Sequence, residues 1–128
     1  MTYLVDTHVL LWAARDNSEL GKQTRRVLET SPSVYYSAIS IAEVSIKEIL
    51  GKLRIAHRLT EALDDQGFLK LGFNDQHALE ISRFESLAGH DPFDRLILAQ
   101  AASEGFKLIT ADKTLLALGF DWVLDARD

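Results

Sequence analysis

The chain contains no cysteine, which excludes disulfides and thiolate metal sites and fits a reducing, cytoplasmic setting. Proline is scarce, at two in 128 residues, and no Pro/Gly/Ser-rich linker, repeat or low-complexity tract interrupts the sequence, so a single domain over 1–128 is expected. No apolar run is long enough to span a bilayer. The opening MTYLVDTHVLLWAA is hydrophobic but lacks a basic flank and is broken by Asp6 and His8, so it reads as a buried strand entering a helix and not as a signal peptide. Positive charge is also in short supply: 14 Lys and Arg against 19 Asp and Glu leave a net charge of −5, which at first argues against a nucleic-acid partner. There is no glycine-rich phosphate loop and no G-x-S-x-G elbow. His8, His57, His77 and His90 lack metal-ligand spacing, which argues against zinc, and nothing assembles a histidine-based triad.

What is present is the composition of an ordinary soluble domain, 47% hydrophobic and 26% charged, long enough to bury a core. Strand and helix signals alternate. Strands are predicted at Tyr3–Asp6, Val34–Tyr36, Phe68–Leu71, Lys107–Ile109 and Trp122–Leu124. Between them lie helices from Thr7, over Leu20–Thr30, from Ser37 or Ser40 to Leu50, over His57–Gln66, Asn74–Leu87, Pro92–Ser103 and Lys113–Leu118. Such alternation implies a three-layer α/β/α sandwich around a mainly parallel sheet, with Trp12 and Trp122 filling the core and Tyr35 and Tyr36 facing opposite sides.

Open α/β sheets keep their chemistry beyond the carboxyl ends of the strands. Asp6, Asp94 and Asp112 occupy settings that lead to that edge. Asp6 ends the first strand, Asp112 follows the fourth, and Asp94 lies in the first turn of the very apolar helix begun by Asp91-Pro92. Each also has a helix-capping or helix-dipole explanation, as does Asp91. Thr110, at a strand end, offers a hydroxyl to a neighbouring carboxylate. Glu43 has no such explanation, because it lies inside a helix. Ala42, Ile46, Ile49, Leu50 and Leu53 are predicted to form that helix's core-facing stripe, with Glu43 at its edge, where a solvated glutamate is not expected. A pair with Lys47 four residues on is its ordinary alternative. Carboxylates gathered in this way call for a hard divalent cation such as Mg²⁺ or Mn²⁺. Just beyond Glu43, the cluster Lys47, Lys52, Arg54, His57 and Arg58 suits either a phosphate-contacting rim or a solvated helix face.

With these residues in place, the chain resembles the PIN-domain ribonucleases, in particular the VapC-type toxins of toxin–antitoxin pairs. The resemblance rests on Leu4–Trp12, Ser37–Glu43, His90–Ala101 and Leu108–Asp112, in the family's order and spacing along nearly the whole length. It implies an α/β/α fold in which Asp6, Glu43, Asp94 and Asp112 bind Mg²⁺ or Mn²⁺ and carry catalysis. Asp6 and Asp94 would be the principal ligands, and Thr7, Thr110 and Asp91 would support them. It implies hydrolysis of RNA phosphodiesters, with Lys47, Lys52, Arg54 and Arg95 as phosphate contacts. It also implies a homodimer and a small antitoxin whose tail enters the acidic groove. Two further readings compete: a phospho-receiver domain, which lacks its acidic pair and its late lysine here, and a non-catalytic PIN-like module that binds RNA or protein. The carboxylates alone do not distinguish RNA from DNA.

Overall fold

The computed structural model describes residues 1–51 and 55–128. Five strands, β1 (Tyr3–Val5), β2 (Val34–Ser37), β3 (Leu69–Leu71), β4 (Lys107–Thr110) and β5 (Val123–Asp125), form one sheet in the order β3-β2-β1-β4-β5. Every pairing is parallel. Because the side-chain period of a strand is two, neighbouring residues feed opposite faces. Val5, Tyr36 and Ile109 enter one apolar cluster, and Leu4, Leu108 and Val123 enter the other, with Tyr35 packed against it.

Helices α1 (Thr7–Ala14), α2 (Lys22–Thr30) and α4 (Ala56–Asp65) cover the first face with Val9, Leu10, Val27, Leu28, Leu59 and Leu63. On the second face lie α6 (Pro92–Glu104), α7 (Lys113–Leu116) and a 3-10 segment, Ile81–Leu87, which follows α5 (Asp75–Glu80). Ile97, Leu98, Leu115, Phe84 and Leu87 pack there. Each fully buried aliphatic side chain contributes roughly 1.5–3 kcal/mol. Helix α3 (Ala38–Ile49) sends Val44 to the first cluster and Ile39 to the second. The three-layer sandwich expected from the alternation is therefore present. Trp12 is buried in the first cluster and Trp122 packs partly buried against the second.

Two expectations need correction. The helix predicted over Asn74–Leu87 is not continuous: Phe84 leaves helical geometry (φ −113°, ψ 47°) and the chain tightens into 3-10 turns. Residues three apart eclipse one another in a 3-10 helix, so Phe84 and Leu87 both point inward. The stripe assigned to the core on α3 is in fact its outer face. Ile46, Ile49 and Leu50 are 45%, 85% and 64% exposed, whereas Ser40, Glu43 and Val44 are buried. Leu53 lies outside the described residues.

Two glycines show two different requirements. Gly105 closes α6 in the left-handed region (φ 71°), where a Cβ is strained. Gly21, which starts α2, lies where its N–H meets the Ala126 carbonyl at 2.9 Å, and a Cβ there would collide with the main-chain carbonyls of Arg127 and Asp128. Gly21→Ala should therefore lower stability by about 1–3 kcal/mol, read as a fall in thermal or urea midpoint.

Candidate metal centre

The strand order reverses around β1, so the carboxyl ends of β1 and β4 open onto a crevice. Register then assembles the site. Val5 pairs with Ile109, and the Asp6 N–H donates to the Ile109 carbonyl at 3.0 Å. This sets Asp6 beside Thr110, whose hydroxyl donates to Asp6 Oδ2. Thr110 Oγ1 in turn accepts from the Asp112 N–H at 3.0 Å, which fixes the turn carrying Asp112. On the other side of β1, the Thr7 hydroxyl donates to Ser40 Oγ at 2.9 Å and ties α1 to α3. Behind the site, Ser37 donates to the buried Gln100, whose amide reaches the Gly72 carbonyl at 3.2 Å. That strut locks α6, the helix bearing Asp94, to the ends of β2 and β3.

The resulting cleft has a volume of about 650 Å³ and is lined by Asp6, Glu43, Asp91, Asp94 and Asp112 together with Thr7 and the basic residues His8, Lys47 and Arg127. All four carboxylates singled out in the sequence therefore meet in one place, and Asp91 joins them at the rim. The capping explanations hold as well. Asp6 Oδ1 accepts from the Val9 N–H (3.1 Å), Asp91 Oδ1 from Phe93 (2.9 Å) and Asp112 Oδ1 from Leu115 (3.0 Å). Cap and ligand do not exclude one another: Asp91 and Asp112 cap through Oδ1 alone, and Asp6, whose Oδ1 caps and whose Oδ2 accepts from Thr110, keeps further lone pairs and still lines the cleft.

The cleft is charged against its own preference. Asp6 is 3% exposed, and its carboxyl is pushed from 3.8 up to about 6, chiefly by burial, with Asp112 and Glu43 adding repulsion and the Thr110 and Val9 hydrogen bonds opposing. Asp94 is pushed up to about 7, again first by burial and then by Asp6, Asp112, Asp91 and Glu43. Glu43 is buried at 5% exposure. Its Oε2 pairs with Lys47 Nζ at 3.0 Å, so the ordinary alternative for Glu43 is also realised. Its Oε1 is buried without any hydrogen-bond donor. A buried anionic oxygen with no donor is costly. Oxygen ligands, mutual repulsion and this open acceptor together fit a hard divalent cation, and Asp6, Glu43, Asp94 and Asp112 are the residues that would hold it.

The remaining predicted residues divide. Lys47 lines the cleft, whereas Arg95 does not, and its guanidinium instead donates to the Leu87 carbonyl at 3.4 Å. Lys52 and Arg54 lie outside the described residues. Residues not picked out for the site in the sequence include His8, which lines the cleft, together with Arg127 and His90. Arg127 reaches the cleft from beyond β5, held by a 3.1 Å bond to the Ala111 carbonyl and by stacking over Trp12, 5.4 Å from the ring centroid. His90 places Nε2 3.3 Å from Oδ2 of both Asp94 and Asp112. A search for His–His spacing had no means of finding it, because Asp112 comes from a different element.

A parallel sheet gathering acidic side chains at its carboxyl edge defines the class: an α/β domain with an acidic cleft at the switch point of its sheet. Comparison gives the family. The chain belongs to the PIN domain family, whose family model matches residues 3–121. It is 26% identical over 116 residues to ribonuclease VapC22 of Mycobacterium tuberculosis, covering 89% of each chain. Its fold matches VapBC2 from Rickettsia felis bound to a promoter DNA fragment (TM-score 0.70, 16% identity, 98% of this chain and 97% of that one). It also matches a toxin–antitoxin complex from Klebsiella pneumoniae (TM-score 0.67, 22% identity, 96% of each chain). VapBC-5 of Mycobacterium tuberculosis matches at a TM-score of 0.65, with 22% identity and 99% and 98% coverage. The VapC-type resemblance read from the motifs agrees with these relatives.

Proposed function

We propose that this chain is a metal-dependent endoribonuclease, the toxin of a toxin–antitoxin pair, using Mg²⁺ or Mn²⁺. The observation that carries the reading is the meeting of Asp6, Glu43, Asp94 and Asp112 in one cleft where Glu43 Oε1 lacks a donor. A divalent ion bound there supplies a lowered pKa to water and offsets charge on phosphoryl oxygens. The chain's own residues supply the rest. Asp6 and Asp94 are the principal ligands. Thr110 and the Val9 N–H hold the Asp6 carboxylate in one orientation, and the Asp112 cap does the same for Asp112. Lys47 and Arg127 bring positive charge to the rim of a net-acidic protein, where backbone phosphates approach. No helix among the described residues is long and apolar enough to cross a membrane, and the reading places the protein in the cytoplasm.

The outward stripe Ile46, Ile49 and Leu50 supports a protein partner, because such side chains cluster on surfaces that become covered. A homodimer and a small antitoxin are the partners this reading names, with basic antitoxin side chains neutralising the same carboxylates.

The test is incubation of purified protein with total cellular RNA, and separately with single-stranded DNA, in Mn²⁺, Mg²⁺ or EDTA. Cutting of RNA that requires the metal is the expected result. An absence of metal-dependent cutting would leave the non-catalytic binding module as the better reading, and cutting of DNA alone would reassign the substrate.

A further inference from the structure

His90 sits just before α6 with its imidazole tip turned into the protein. Its Nε2 is buried and makes no hydrogen bond, although the Oδ2 atoms of Asp94 and Asp112 each lie 3.3 Å away. A donor that serves an acceptor points along its N–H, and neither carboxylate oxygen lies on that line. The three atoms all lie within 4.8 Å of one another. Ligand atoms bonded at about 2.1 Å to one cation lie roughly 3.0–3.4 Å apart, which is the spacing the nitrogen keeps to both oxygens. A second, independent observation marks the same cleft: Glu43, more than nine-tenths buried, leaves Oε1 without a partner.

We propose that His90 Nε2 is a nitrogen ligand of the cation site, acting with Asp94 and Asp112, and that it biases the site toward Mn²⁺ over Mg²⁺. The inference rests on the metal-dependent reading above and adds the donor that sets the choice of ion. Mg²⁺ prefers oxygen ligands and keeps its waters, whereas imidazole suits transition ions, and Mn²⁺ accepts both oxygen and nitrogen. An all-carboxylate centre has no reason to discriminate strongly between the two. One imidazole supplies that reason.

The experiment loads EDTA-stripped protein with Mn²⁺ and records pulsed EPR for ¹⁴N coupling, beside Mn²⁺ titrations with Mg²⁺ competition. Wild type, His90→Gln, His90→Ala and His8→Ala are compared, since His8 also lines the cleft that holds Asp94 and Asp112. Expected are nitrogen coupling in wild type and His8→Ala, its loss in both His90 variants, and at least tenfold weaker Mn²⁺ binding with Mg²⁺ affinity changed much less. Bound Mn²⁺ without nitrogen coupling in wild type would overturn the inference without any variant having to fold. Equal weakening of Mn²⁺ and Mg²⁺ would also overturn it, making His90 a clamp between two carboxylates. If Mn²⁺ binds and Asp6→Asn abolishes that binding, the cation site stands even where the His90 inference fails. If no Mn²⁺ binds at all, both fall.

Discussion

Asp6→Asn should abolish RNA cleavage while leaving the metal-free protein as stable as wild type or more so at pH 7.5. The two effects have one cause. Asp6 is buried beside Asp112 and Glu43, and its carboxyl is pushed up to about 6, so ionising it at neutral pH works against the folded state. A shift from 3.8 to about 6 corresponds to roughly 2–3 kcal/mol for a group this buried. Asparagine keeps the oxygen that accepts the Val9 N–H, and its amide can donate to the Thr110 hydroxyl, so cap and strand contact survive. The charge does not survive, and with it goes the principal cation ligand. Residues outside the ligand set typically cost metalloenzymes about 10–100-fold when altered, so a ligand should cost more than about 100-fold. Cleavage rates and urea unfolding in EDTA check the pair. Because the cap survives in asparagine, a destabilised variant would mean that the ionised Asp6 carboxylate itself stabilises the metal-free fold, against this account.

The second large effect is a dependence on pH with opposite signs for the metal-free and metal-loaded protein. Asp6 and Asp94 have folded-state values near 6 and 7, above their ordinary 3.8. Raised values mean that the folded state holds protons the unfolded chain has already released. The stability they contribute is complete below about pH 4 and is lost as pH rises through about 6 and 7. Metal-free protein should therefore lose stability from these two groups between pH 5 and pH 8. A cation binds only the deprotonated carboxylates, so its affinity runs the other way. If both groups must release their protons, apparent affinity at pH 5.5 should be about 100-fold weaker than at pH 7.5. Thermal melts with and without Mn²⁺ across this range read both signs. A metal-induced shift in Tm as large at pH 5.5 as at pH 7.5 would contradict the account.

How much of this was legible in the sequence depends on which level carried the information. Asp6, Asp112 and Asp91 each presented two readings, cap or cleft, and local pattern had no means of choosing. The structure shows why the choice was false: one oxygen caps the helix and the carboxylate still faces the cleft. Glu43 does line the cleft, but it was singled out on a mistaken premise. Apolar residues normally mark the inner face of a helix, but α3 covers the acidic cleft, so its inner face carries Ser40 and Glu43 while Ile46, Ile49 and Leu50 face outward. The pattern inverted because the helix serves a polar site and presents an apolar surface on its far side. Phe84 broke a helix that propensity favoured, because burying its ring edge-to-face against the stacked pair Phe120 and Trp122 outweighed regular hydrogen bonding. His90 and Arg127 were invisible for a simpler reason. Their significance depends on which elements are neighbours in space, set for Arg127 by the β4–β5 pairing and for His90 by the start of α6 meeting the end of β4, rather than by distance along the chain.

The central claim is that these carboxylates converge in order to hold a divalent cation. Isothermal titration of Mn²⁺ into EDTA-stripped wild type at pH 7.5, beside Asp6→Asn, tests it most directly. Saturable binding by wild type and none by the variant is the expected result. No binding by either, or the same binding by both, would contradict it and leave the acidic cleft without the purpose assigned to it.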